Sequence, residues 1–102
     1  MAIHILKSFP ANFDKVRAGK KRHEIRINDR DFREGDKVEL YKWDPEQAVT
    51  READGYNGET LSGLIIDVTT ADSLVGPLAG ALRSDVVILG MLWDVPSVSV
   101  KR

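Results

Sequence analysis

The segment from Ser84 to Trp93 constrains this chain more than any other. Val86, Val87, Ile88, Leu89, Met91 and Leu92 form a near-continuous apolar run. Its length and its β-branched content favour a buried strand over a helix. Such a strand sits inside a sheet, and the rest of the chain must supply its partners. Four other segments qualify. Ile3 to Lys7 is short and partly β-branched, with His4 inside it. Lys37 to Trp43 carries Val38, Leu40 and Tyr41, and Glu59 to Thr70 carries Leu61, Leu64, Ile65, Ile66 and Val68. In His23 to Asn28, alternation puts His23, Ile25 and Ile27 on one face, and Glu24, Arg26 and Asn28 with Arg22 on the other. His23, beside two isoleucines, is expected to be half-buried and hydrogen-bonded.

One segment predicts a firm helix. Phe9-Pro10 opens it, because proline loses no needed hydrogen bond in the first turn. Phe9, Phe13 and Val16 follow the spacing of a buried stripe. Gly19 suits a left-handed cap, and Lys15 and Arg17 lie where the helix dipole favours cations. Asn28 to Asp31 and Arg33 to Asp36 read as turns. Ala71 to Arg83 reads as a loop with a short helical turn. The expected class is α+β, mainly β. It is a small, mainly antiparallel barrel or curled sheet of five to six strands with one or two helices.

At 102 residues the chain makes one domain, residues 1–102. Val95, Val98 and Val100 suit either an edge strand or a loose tail over 95–102. No cysteine is present, which removes disulfides, thiolate metal sites and cysteine nucleophiles. No apolar stretch reaches the ~20 residues of a membrane span, and a signal-peptide layout is absent. A cytoplasmic setting is expected, with no membrane partner. Asp44 to Gly58 holds Pro45, Gly55, Gly58 and several acids, and it lacks a periodic pattern. Loops this long are functional or mobile, and this one could engage a protein partner.

The net charge of −1 conceals an asymmetry. Lys15 to Arg33 carries eight basic and three acidic residues, a local +5. That excess suits an anionic ligand, although charge clusters are often only a solvated face. Inside it lies the densest chemical feature, Gly19-Lys20-Lys21-Arg22-His23-Glu24-Ile25-Arg26, at a helix-to-strand junction. Lys21, Glu24 and Arg26 converge on one side of the sheet. Lys21 and Arg26 would meet an anion with charge-assisted hydrogen bonds, and the Arg26 fork suits a phosphate or a base edge. Glu24 could accept from an exocyclic amine of cytosine or adenine. The plainer alternative is an ion-paired trio with no ligand. Metal chemistry is thin. His4 and His23 could meet with Asp67, but a half-buried core role suits His23 better, and the acids Asp29 and Asp31 suit turn capping. No metal or cofactor is assigned.

The spacing Gly19-x-Lys21-x-x-Glu24-x-Arg26 resembles the signature of the ASCH domains, part of the PUA-like superfamily. The run Ala18 to Asp36, AGKKRHEIRINDRDFREGD, is similar to the hallmark of a small ASCH-related family of bacterial and phage proteins. The likeness spans most of residues 3–92, and is weakest over 44–58 and 71–83. It implies a PUA-like pseudo-barrel and a cleft lined by Lys21, Glu24 and Arg26. PUA-like domains commonly bind RNA, so the resemblance implies RNA or a nucleotide as partner. Lys20, Arg22 and Arg30 would form a basic rim, and Trp43, Tyr41 and Tyr56 are candidate stacking groups. Some ASCH relatives are enzymes. An amidohydrolase group acting on acetylated cytidine is similar at Gly19 and Lys21, where the lysine is its general base. Its threonine nucleophile is replaced here by Glu24, which can serve as a base but not as a hydroxyl nucleophile. Lys21 and Glu24 are thus the catalytic candidates if the chain is an enzyme, whether amidohydrolase-like or a ribonuclease.

Overall fold

The computed structural model describes residues 1–46 and 56–94. Among the described residues, five strands and one α-helix follow each other in the order β1 (Ile3–Ser8), α1 (Pro10–Arg17), β2 (His23–Ile27), β3 (Lys37–Trp43), β4 (Tyr56–Thr70) and β5 (Val86–Asp94). They form one mainly β unit, a curled half-barrel sheet in the order β1-β3-β4-β5-β2. Only β1 and β3 run parallel; the other three pairs are antiparallel. The apolar run that anchors the sequence reading is β5, and it lies inside the sheet between β4 and β2, but only one of its faces, carrying Val87, Leu89 and Met91, is buried. Two 3₁₀ turns, Ala71–Ser73 and Gly76–Leu78, occupy the β4–β5 connection. No helix among the described residues is long and apolar enough to cross a membrane. Most of the 44–58 loop and all of the 95–102 tail lie outside the described residues, as does the Tyr56 side chain.

The concave face of the sheet holds the core. Leu6, Val38, Leu40, Ile65, Val87, Leu89 and Met91 point inward from the strands, and Phe13 and Val16 from α1 cover them. A bulge between Ile65 and Asp67 resets the alternation of β4, so that both Ile65 and Val68 face the core. Ions clamp the helix to the sheet. Arg17 bonds Asp14 and Glu59, and the Lys42 ammonium lies 3.1 Å from Asp14 and 3.4 Å from Glu59.

α1 ends in a Schellman motif. Gly19 takes a φ of +80°, while the Gly19 N–H bonds the Val16 carbonyl and the Lys20 N–H bonds the Lys15 carbonyl. This left-handed residue turns the chain sharply enough to start β2 four residues later. Lys21 falls in the connection and Glu24 and Arg26 fall on the strand.

β1 and β2 are the two ends of the sheet, and side chains rather than a backbone ladder bridge the seam between them. Arg26 donates from Nη2 to the Lys7 carbonyl at 2.8 Å, and Arg30 donates from Nη1 to the Ile5 carbonyl at 3.3 Å. These bonds engage carbonyls of β1 that would otherwise face solvent at a sheet edge.

Two sequence expectations are corrected here. The alternation of β2 is present, but its sense is reversed. His23, Ile25 and Ile27 face outward, and Glu24 is buried at 2% exposure. β2 closes the charged seam, so its ionic face must turn inward. Ile3, Ile5, Ile66 and Leu92 are also exposed. Phe9 does not join the buried stripe of α1. It is the N-cap residue with extended backbone (φ −64°, ψ 153°), its ring stacks on Trp43, and it is 57% exposed.

Candidate functional site

The turn after α1 and the first strand residues after it place three ions at one end of the seam. The Glu24 carboxylate is buried between two cations. Lys21 Nζ lies 3.4 Å from its Oε2, and Arg26 donates from Nε and Nη2 to its Oε1 at 3.2 and 3.0 Å. The Lys21 and Arg26 side chains remain 18% and 22% exposed. The trio is therefore ion-paired, as the plainer reading expects, but its cations still reach the wall of an open cleft of about 360 Å³. That volume falls in the range of small-ligand sites. The end of β1 and the start of α1 line the same cleft through Lys7, Ser8, Phe9 and Asn12.

The charge balance of this arrangement decides what it can do. Two cations and one carboxylate leave a net positive charge in a partly desolvated setting, and Lys7 adds another at the rim. Both Glu24 oxygens are already engaged by cations. Glu24 thus holds Lys21 and Arg26 in place, and the donors left over on those two side chains point to an acceptor-rich, anionic occupant.

The other expected site residues separate. Lys20 is exposed and away from the cleft lining. Arg22 is exposed and lines a neighbouring cavity of about 450 Å³ with Gly19, Lys21 and Trp93. Arg30 lies further along the seam, in a smaller hollow that it shares with Arg26 and Phe32. Trp43 is half-buried behind the cleft, with its ring stacked on Phe9 at 5.8 Å between centroids. Tyr41 is half-buried on β3. Sequence reasoning missed Lys7, Ser8, Phe9 and Asn12. The one available signal was position, since these residues begin where β1 ends and α1 starts.

The two histidines do not combine. His4 bonds Asp36 through Nε2 at 2.8 Å and packs on Phe32, while His23 is exposed on β2. Among the described residues no three His, Asp or Glu side chains gather closely enough to hold a metal ion. Asp29 and Asp31 pair with Arg30 and Arg33 inside their own turns.

Asp36 is a structural clasp. It accepts from the Ala2 and Arg33 N–H groups, both at 3.1 Å, as well as meeting His4. The His4 bond, then the Ala2 N–H, hold its carboxyl down at about 2, against an ordinary 3.8. A carboxyl depressed on folding stabilises the fold above its unfolded value and ceases to do so as pH falls through the folded one. Melting temperature should therefore decline between about pH 4 and pH 2 in the native protein. In Asp36→Asn it should start lower at pH 7 and decline less over that range. Parallel acid limbs for the two proteins in a thermal-melt pH series would contradict this role.

Comparison with known proteins adds one result. The chain matches the model of a domain of unknown function, DUF3850, over residues 3–91, and so belongs to that family. No curated protein matches it.

Proposed function

We propose that this DUF3850 member is a single-stranded RNA- or nucleotide-binding module of the PUA-like (ASCH) kind, acting in the cytoplasm. The observation that carries the reading is the uncancelled positive charge of the Lys21–Glu24–Arg26 trio, presented by a curled sheet in a cleft of small-ligand size. Lys21 and Arg26 take phosphate oxygens, Glu24 fixes their positions, and Lys7 adds a third cation at the rim. The motif that resembles the ASCH signature supplies all three members of the trio, which supports the same conclusion. Lys20, Arg22 and Arg30 contribute only a diffuse field.

A second reading makes Lys21 and Glu24 an acid–base pair of a hydrolase acting on a modified nucleoside or RNA. Their 3.4 Å contact favours it. The double engagement of Glu24 Oε1 by Arg26 weighs against it, because the guanidinium occupies the oxygen that would have to take the proton.

Salt dependence tests the binding reading. If Lys7, Lys21 and Arg26 each meet one phosphate, the logarithm of affinity for a short single-stranded RNA should fall with the logarithm of salt at a slope of about −2. Fluorescence anisotropy between low and moderate salt measures it. Affinity indifferent to salt would overturn the proposal.

A further inference from the structure

The cleft has an aromatic wall as well as an ionic one. Phe9 is a large apolar side chain left 57% exposed at the mouth of a charged cleft. Its backbone is held. The Phe9 carbonyl accepts the Phe13 N–H at 2.9 Å, which starts α1, and Pro10 restricts Phe9 to its extended conformation. The ring is backed by Trp43, with an interplanar angle of 23°, and the Lys7 ammonium lies 4.8 Å from the Trp43 ring centroid. Phe9 is therefore an aromatic plate supported from behind, open to solvent, and lining the same cleft as the cations that face an anion. A ligand that only carried phosphate would have no use for such a plate.

We infer that Phe9 is the residue that selects the ligand, and that the ligand is a single-stranded nucleotide unit whose base lies on the Phe9 ring while its phosphate meets Lys21 and Arg26. This rests on the nucleotide-binding reading above and adds to it the position of the base. A base within a duplex has both faces covered by its neighbours, so the plate accepts only an unstacked base. Trp43 is the support for the plate and not the stacking surface.

The test compares a short single-stranded oligoribonucleotide with its abasic counterpart of equal length and charge. Both are titrated against the native protein, Phe9→Ala and Phe9→Trp. The native protein should bind the base-bearing strand roughly tenfold more tightly than the abasic one, the scale of one base stacked on an aromatic ring. Phe9→Ala should lose that preference and keep its affinity for the abasic strand, and Phe9→Trp should retain the preference. Because Phe9 is outside the core, the melting temperature of Phe9→Ala should stay near the native value. An undiminished preference in Phe9→Ala overturns the role of Phe9 and leaves the ionic reading standing. Absence of binding to either strand by the native protein overturns both.

Discussion

A variant with Lys21, Glu24 and Arg26 all changed to glutamine should fold normally and lose RNA affinity by about 100-fold or more. Hydrogen bonds to charged groups contribute about 1.5–3 kcal/mol each. Two cations on the ligand would supply about 3–6 kcal/mol, and their partial exposure favours the lower end. About 3 kcal/mol corresponds to two decades in Kd. The fold should tolerate the change because all three charges leave together and no buried charge is left uncompensated. The simpler Lys21→Ala/Arg26→Ala variant is less informative. It strands a carboxylate of 2% exposure without either counterion, so weakened binding would mix with weakened folding. Anisotropy titration for affinity and circular-dichroism melting for the fold give the two readouts. Native-like affinity in the folded triple variant would remove the trio from the ligand site.

What the sequence could reveal follows from the range of each interaction. α1 and its Gly19 cap are local, since every bond that ends the helix joins residues at most six apart. The convergence of Lys21, Glu24 and Arg26 is also local, set by a tight turn and the two-residue period of β2. β5 was legible because a continuous apolar run tolerates only an interior position. The failures are long-range or lack a sign. Alternation reveals which residues of β2 share a face but not which face is covered. That depends on β2 ending the sheet opposite β1, where Arg26 reaches the Lys7 carbonyl nineteen residues earlier. Helical spacing placed Phe9 with Phe13 and Val16. One residue's difference in where the helix begins turned it from core to cleft wall. Arg30 was expected only in the basic rim, and the turn after β2 carries it along the seam to the Ile5 carbonyl, a contact nothing local specifies.

Glu24→Ala should give the largest loss of stability of any single change at the site, and Glu24→Gln should reveal what the carboxylate does for the ligand. Removing one member of a buried ion pair costs about 3–5 kcal/mol, because the remaining charge is left uncompensated. Lys21 and Arg26 are each about one-fifth exposed and can turn toward water, which favours about 3 kcal/mol. For a domain of this size that lowers the melting temperature by roughly 12 °C or more. A loss below about 1 kcal/mol would show that the trio is held by something other than Glu24. Glutamine keeps an acceptor for Arg26 and removes the negative charge, so Glu24→Gln should fold better than Glu24→Ala. Its effect on binding has a definite sign. If Glu24 only positions the cations, its loss raises the net charge facing the phosphate, and every homopolymer should bind more tightly at low salt. If Glu24 instead accepts from an exocyclic amine, cytidine and adenosine oligomers should weaken while uridine oligomers do not. The engagement of both carboxylate oxygens by cations points to the first outcome. Equal weakening across all the homopolymers, with the fold intact, would show that holding Lys21 and Arg26 in position outweighs the charge that Glu24 cancels.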